Sequence, residues 1–398
     1  MLDNGKAEGA RKIKQIEKYC LRDIAIVSQG FTFSRSYQGK KNLKWNYFKV
    51  ADIGINPNSK YLTNAINTIS DITMEEIGAL PFPKGSIVFP RVGAALFNNN
   101  KKILAQDGVV DDNVLVLTVT DTSKCWYEFL YYYLQGIPLA KWCNSGLVPV
   151  INTKTVLSQM VFLPPLPEQQ KIAAILSTQD KVIELKEKLL AQKQQQKKYL
   201  MQQLLMPKNK EKSFKSIHLS DISRLIKKHV DGQKFNYVST ENISPNLSGK
   251  ALFDESNIEI SGVGFNAGDI LVGNIRPYLK KVWRANKDGL CSTDVLVFRP
   301  IGISSEFLYY LIANDNFFFN VMTTAKGSKM PRGDKKAIMN AKMLIPESRI
   351  EQNFIVEILS TADHEINLLQ ESIEAEKQKK KALMQLLLTE KVRVKCNG

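Results

Sequence analysis

Apolar and polar positions along this chain follow two rhythms. Short β-branched and aromatic runs, SIVF (86–89), VLVLTV (114–119), DILV (269–272) and DVLVF (294–298), are separated by Gly, Pro, Asn and Asp. Such runs predict strands. Within the strand-rich parts, WYEFLYYYLQGI (126–137) and SEFLYYLIAND (305–315) predict short helices. The second rhythm is helical and long. LPEQQKIAAILSTQDKVIELKEKLLAQKQQQKKYLMQQLL (166–205) has no Gly or interior break, and RIEQNFIVEILSTADHEINLLQESIEAEKQKKKALMQLLL (349–388) is a worn copy of it.

A helix of this length reaches about 60 Å at ~1.5 Å per residue, more than a compact domain requires. Pro167 suits the first helical position, with Glu168 in the first turn; Ser348 and Glu351 form an S-x-x-E capping box. Apolar pairs recur every seven residues at Ile175/Leu176, Val182/Ile183 and Leu189/Leu190, and the second helix offers Ile358/Leu359, Ile366, Leu369 and Ile373. A seven-residue seam packs one helix along another. The alternative, an amphipathic helix lying on its own globular part, is less favoured at this length. The later turns, AQKQQQKKY (191–199) and EAEKQKKKA (374–382), are polar. They would make weak coiled coil, or be offered to another protein's helices.

The repetition extends beyond the helices. KWNYFKVADI (44–53) matches KFNYVSTENI (234–243), FPKGSIVFPRVG (82–93) matches FNAGDILVGNIR (265–276), DNVLVLTV (112–119) matches TDVLVFRP (293–300), and EFLYYYL (128–134) matches EFLYYLI (306–312). Leu21–Ile24 likewise agrees with Leu219–Ile222, and the offset drifts where loops differ in length. The chain is a tandem duplication. Its expected segments are a first globular domain (1–163), a first long helix (164–206), a polar linker (207–216), a second globular domain (217–345), a second long helix (346–390) and a tail (391–398). Two long helices, each after a globular domain, pair most simply antiparallel. The expected fold is α+β: two tandem mixed α/β domains separated by a long antiparallel two-helix coiled coil, with pseudo-two-fold symmetry.

With 398 residues, 44% hydrophobic and 24% charged, the composition is that of a globular protein. A net charge of +16 points to a polyanionic partner, with solvated lysine-rich helix faces as the other explanation. Five scattered cysteines without a CxxC pair speak against a disulfide framework or cysteine zinc site. No apolar run approaches the ~20 residues of a membrane span and MLDNGKAEGARKIKQ lacks a secretion signal, so the expected location is the cytoplasm. No NPPY-like stretch, glycine-rich cofactor loop or GxxxxGK[ST] loop is present; SGVGFNAG (261–268) fails the dinucleotide spacing. His218, His229 and His364 are isolated, and Glu184-Leu-Lys186 lies mid-helix without upstream carboxylates.

LPPLPEQQKIAAIL (163–176), followed by a lysine- and glutamine-rich helix ending in LMQQLL, resembles the specificity subunit of type I restriction–modification enzymes. The likeness covers essentially the whole chain, although the second copy has PESRIEQNFI (346–355) where PLPEQQKIAA would be usual. The resemblance implies two target recognition domains, each reading one half of a split DNA sequence. It implies helices that set the unread spacing and dock two modification (methyltransferase) subunits, and further restriction (ATP-dependent translocase/nuclease) subunits. This chain would be non-catalytic and bind no cofactor, with S-adenosylmethionine and ATP on the partners.

Expected DNA contacts lie in matched loops. VFPRVGAALFNNNKK (88–102) offers Arg91, Lys101 and Lys102; VGNIRPYLKKVWR (272–284) offers Arg276, Tyr278, Lys280 and Lys281. Arg91 and Arg276 are expected at equivalent strand ends, where a guanidinium can fork onto guanine or phosphate. SGLVPVINTKT (145–155) presents Lys154, KGSKMPRGDKK (326–336) presents Lys329 and Arg332, and FSRSYQGKK (33–41) adds Arg35, Tyr37 and Lys41. Two other classes are a stand-alone methyltransferase or nuclease with atypical motifs and a protein-binding scaffold. Incubating the purified chain with S-adenosylmethionine and DNA tests the first, and a gel-shift with salt titration tests the second.

Overall fold

The computed structural model describes residues 17–55, 59–144, 146, 148–206, 213–233, 236–253, 259–389 and 391–394. The first sixteen residues, linker residues 207–212, residues 234–235 of the second KFNYVSTENI match, residues 145 and 147 of SGLVPVINTKT, and tail residues 395–398 with Cys396 lie outside these. The chain forms two compact units, each discontinuous in sequence: residues 1–188 with 371–398, and residues 189–370. The long helices, Leu166–Leu205 and Arg349–Leu388, therefore each contribute turns to both units.

The first unit carries a five-stranded sheet in the spatial order Ala25–Gln29, Val114–Val119, Ile87–Pro90, Lys102–Leu104, Tyr61–Leu62. A three-stranded sheet (Asn67–Ile69, Trp45–Phe48, Val109–Val110) adjoins it. The second unit repeats the main order as Ser223–Ile226, Val295–Pro300, Ile270–Gly273, Val282–Arg284. Registers also match: Ile87 pairs with Leu117, and Ile270 with Phe298.

The strands Val114–Val119 and Val295–Pro300 are covered on two faces, because successive side chains on a strand point opposite ways. Leu115 and Leu117 enter the larger core of the first unit while Val114 and Val116 enter a smaller one. Leu296 and Phe298 divide from Val295 and Val297 in the same manner in the second. The larger cores are capped by the short helices Tyr127–Gln135 and Ser305–Ile312, whose Phe129, Leu130, Phe307 and Leu308 are buried.

Each large core is closed by both long helices. In the first unit Ile172, Ala173 and Leu176 from the start of the first helix pack with Leu383, Met384 and Leu387 from the end of the second. In the second unit Ile355 and Leu359 pack with Leu200, Met201 and Leu205. The recurring LMQ–LL endings are thus core residues for the globular part of the other repeat. A buried glutamine pins each helix start. Gln169 Nε2 donates to the carbonyls of Lys124 (2.7 Å) and Pro164 (2.8 Å), and Gln352 Nε2 to that of Pro346 (2.9 Å). Glu168 is buried too, and burial alone would raise its pKa. Bonds from Arg393 (2.6 Å) and the Val394 amide (3.0 Å) outweigh that and hold it below the usual carboxylate range.

Within each unit the two helices run antiparallel. In the first, Lys380 meets Asp180 at 2.5 Å, Gln179 donates to Glu376 at 2.7 Å, and Lys186 donates to Ser372 at 2.7 Å. In the second, Lys193 meets Glu365 at 2.8 Å and Lys197 meets Asp363. A duplicated clasp joins three elements in each unit. The Tyr132 hydroxyl donates to Asp180 (2.6 Å), which Lys380 also holds; the Tyr310 hydroxyl donates to Asp363 (2.8 Å), which Lys197 also holds. Burial is the main reason both phenols lie above the usual tyrosine range.

The expected seam needs correcting in part. Ile183, Ile366 and Ile373 are buried, and Ile175, Val182, Leu190, Ile358 and Leu369 half-buried. Leu176 and Leu359 are fully buried, but in the globular cores. The alternative of a helix lying on its own domain therefore holds for the first turns. Leu189 is 44% exposed. Adjacent residues sit ~100° apart around a helix, so only one of the Leu189/Leu190 pair can turn inward.

Leu176→Ala and Leu359→Ala should each cost about 2–5 kcal/mol in their own unit, by transfer loss plus cavity. Leu189→Ala should stay within ~0.5 kcal/mol. Urea denaturation of the full chain measures all three, and equal losses at Leu176 and Leu189 would contradict this packing.

Candidate nucleic-acid interface

In both units the central strand of the main sheet runs into a loop tied to a second loop. After Ile87–Pro90, Val92 bridges Val150, the Ile151 amide donates to the Arg91 carbonyl (2.9 Å), and the Gly93 amide to that of Pro149 (2.9 Å). After Ile270–Gly273, Ile275 bridges Arg332 and the Arg276 amide donates to the Pro331 carbonyl (2.9 Å). The 91–93 and 148–154 segments thus form one platform, and the 274–276 and 326–332 segments its repeat.

This geometry corrects one expected equivalence. Gly93 (φ 81°) and Arg276 (φ 51°) both follow the bridged residue, take left-handed backbone and donate to a proline carbonyl. Arg276 therefore stands where the first unit has Gly93, and the counterpart of Arg91 is Asn274. Arg91 is half-buried, with a nitrogen 3.4 Å from the Asp112 carbonyl. Arg276 is exposed, and its guanidinium has no hydrogen bond or ion pair among the described residues.

The remaining candidates separate by environment. Arg35, Lys41, Lys154 and Lys329 are exposed. Lys154 rides on the short helix Thr153–Leu157, whose Asn152 cap accepts from the Lys154 amide at 2.9 Å. Tyr37 is half-buried, stacked on Phe33, and its hydroxyl donates to Glu76 (2.8 Å); that bond chiefly raises its pKa. Tyr278 is 51% exposed. Lys280 pairs with Asp315 (2.6 Å), Lys281 donates to the Thr240 carbonyl (2.5 Å), and Arg332 holds Asp294 (3.0 Å).

Lys101 and Lys102 contradict the expectation outright, since each is 2% exposed. Lys101 donates to Asn99 Oδ1 (2.7 Å) and the Ile137 carbonyl (2.9 Å) beneath Trp142, and burial pushes its pKa down to about 7. Lys102 donates to the Ser59 carbonyl, and burial, opposed by Asp180, brings it to about 8. The sheet register explains them. Lys102 pairs with Val88, the counterpart of Leu271, which pairs with Trp283; Lys101 and Lys102 thus occupy the places of Val282 and Trp283. The apolar VW in the second copy is the sequence signal that both positions are interior.

Sequence reasoning also missed a cleft of about 960 Å³ in the second unit, beside the Tyr310–Asp363–Lys197 clasp. Its carboxylates are already engaged: Asp315 by Lys198 and Lys280, Glu306 by Arg284, Asp363 by Tyr310 and Lys197. In the first unit the corresponding Tyr132 ring faces a buried lysine, Lys60, which donates to Ser177 (2.8 Å) and meets Glu128 (3.3 Å). Among the described residues no three His, Cys, Asp or Glu side chains group as metal ligands. The Cys125 and Cys291 thiols are buried and pushed up to about 12, which disfavours the thiolate. No described helix is long and apolar enough to cross a membrane.

Two like units, each ending its central strand in a tethered basic loop, define a tandem two-copy architecture. The chain belongs to the type I restriction modification DNA specificity domain family, whose model matches it twice, over residues 13–195 and 213–377. It is 25% identical over 286 residues to the MjaVIII type I restriction enzyme specificity subunit of Methanocaldococcus jannaschii; the match spans 62% of this chain and 65% of that relative. The type I restriction–modification S subunit from M. genitalium has the same fold, with a TM-score of 0.60 at 13% identity, covering 96% of this chain and 98% of that one. A chain from another solved type I R-M system gives 0.58 at 12% identity, over 94% and 98% of the two chains.

The buried lysine yields a pH signature. Lys101 has a folded pKa of about 7 against 10.5 ordinarily, so between these values the unfolded chain binds the extra proton. Stability should therefore rise with pH across that window, because the cost of burying the charged form is relieved. Lys101→Met should reduce that rise, measured by urea denaturation from pH 6 to 10.

Proposed function

We propose that this chain is a non-catalytic DNA-reading subunit acting in the cytoplasm, in which each unit reads one half of a bipartite duplex target. The observation that carries this is the twice-built loop platform. The same strand end, bridge and proline-carbonyl tether recur, yet the side chains differ: Arg91 and Lys154 on one, Arg276, Lys329 and Arg332 on the other. A constant frame with unlike cations suits two different half-sites. The net charge of +16 supports a phosphate-rich partner.

On this reading the methyl transfer and ATP-driven steps belong to partner subunits. Two modification subunits dock on the polar turns of the long helices, which are rich in Lys and Gln at 191–199 and 374–382, and restriction subunits join through them. S-adenosylmethionine and ATP are held by those partners. The length of the long helices fixes the number of unread base pairs between half-sites, since a duplex advances about 34 Å per turn.

Arg276→Ala should weaken specific binding by ~1–3 kcal/mol and relax one base position, read by gel-shift against a panel of substituted targets. Unaltered affinity together with unaltered base preference would remove Arg276 from the interface. Removing equal whole turns from both long helices should change spacer length and leave each half-site intact. Genome-wide mapping of methylated adenines checks this, and an unchanged spacer would refute it.

A further inference from the structure

We propose that Phe97 and Tyr278 are matched aromatic probes, one on each unit, that press against the bases of the half-site each unit reads. The inference rests on the DNA-reading function proposed above; it adds a contact type, gives Tyr278 a specificity-determining role, and brings in Phe97 as its counterpart. Phe97 lies in the 3-10 turn Ala94–Asn98, and Tyr278 in the 3-10 turn Pro277–Leu279. The turns are structural counterparts. Each opens on a left-handed residue tethered to the second loop, Gly93 or Arg276, and closes on another, Asn99 (φ 54°) or Lys280 (φ 50°). Counting back from those closing residues, Phe97 and Tyr278 fall at the same step. The residue before each is buried, Leu96 and Pro277, whereas Phe97 is 68% exposed and Tyr278 51%.

A single exposed aromatic needs no explanation. The same exposure at the same step of a duplicated turn does, since the neighbouring positions have diverged freely. The backbone adds to the argument. Arg276 and Lys280 hold left-handed geometry without being glycine, a strain of about 1–3 kcal/mol each that persists only where the surroundings impose it.

Both turns are also pinned at their closing residue, by different chemistry. In the first unit Asn99 Oδ1 accepts from buried Lys101 (2.7 Å) and from the Leu139 amide (2.9 Å). In the second, Lys280 is held by Asp315 (2.6 Å), while the Leu279 and Lys280 carbonyls accept from the Asn246 and Leu247 amides (2.9 and 3.0 Å). A ring fixed on a stiff turn loses little entropy when it meets a base edge.

Charge selects the partner. The platform that bears Tyr278 also bears Arg276 and Lys329, both exposed, and the one that bears Phe97 bears Lys154. An aromatic ring among cations suits a duplex groove, where the ring can make apolar contact with base edges such as the thymine methyl while the cations meet the flanking phosphates.

The test uses the full chain assembled with its methyltransferase partner. Phe97→Ala and Tyr278→Ala should each lower specific binding by on the order of 10- to 100-fold. The loss should be confined to base changes in one half-site, a different half for each variant. Phe97→Tyr and Tyr278→Phe should retain binding, and the salt dependence on non-specific DNA should be unchanged because phosphate contacts remain. Affinity of both alanine variants for the specific target equal to that of the unaltered chain would overturn the proposal, as would a loss of methyltransferase co-purification with DNA binding intact. Absence of salt-sensitive DNA binding by the unaltered chain would instead defeat the reading of function on which it rests.

Discussion

Neither repeat of this chain can finish its own hydrophobic core. The sheet and short helix of the first unit leave an apolar face that Ile172, Ala173 and Leu176 cover only in part; Leu383, Met384 and Leu387 cover the rest. The second unit needs Leu200, Met201 and Leu205 for the same reason. Apolar burial stabilises by roughly 25 cal/mol per Å², so detaching those turns would remove several side chains' worth of stability from each unit. This exchange of helix ends imposes the antiparallel order, because in each unit the start of one helix must lie beside the end of the other.

The remaining helix contacts follow from it. Beyond those core residues the helix contacts within each unit are largely polar, with Ile183 and Ile373 buried in the first unit and Ile366 in the second. Register is set instead by ion pairs and by the clasps. In each clasp the tyrosine and aspartate come from one repeat and the lysine from the other, so one carboxylate fixes a short helix and two long helices together. The pairing is specific because Asp180 and Asp363 each meet a hydroxyl and an ammonium at once. Exposed lysine–carboxylate pairs nearby add little, given solvent screening.

The duplication, the strand runs and both long helices were legible in the sequence because they depend on local periodicity and on self-similarity. Side-chain placement was less so. The seven-residue repeat could not say which of Leu189 and Leu190 turns inward, nor that Leu176 and Leu359 serve globular cores, because period alone does not specify the packing partner. Lys101 and Lys102 read as surface cations since isolated lysines are rarely buried. They are interior because carbonyl oxygens and Asn99 Oδ1 take up their ammonium groups. The equivalence of Arg91 with Arg276 failed by two positions, a loop shift that only the bridges at Val92 and Ile275 reveal.

Those two lysines also show how a duplicated frame diverges. Where the second copy fills its sheet with Val282 and Trp283, the first has two ammonium groups that need acceptors, and it supplies them from Asn99, Ile137 and Ser59. The second copy, freed of that demand, has Lys280 at the turn position of Asn99 and answers it with Asp315. One solution satisfies a buried charge and the other pairs a half-exposed one, yet both hold the same left-handed residue at the close of the same turn. Two chemically unrelated routes to one backbone shape indicate that the shape of the loop tip, rather than any particular side chain beneath it, is what the fold maintains.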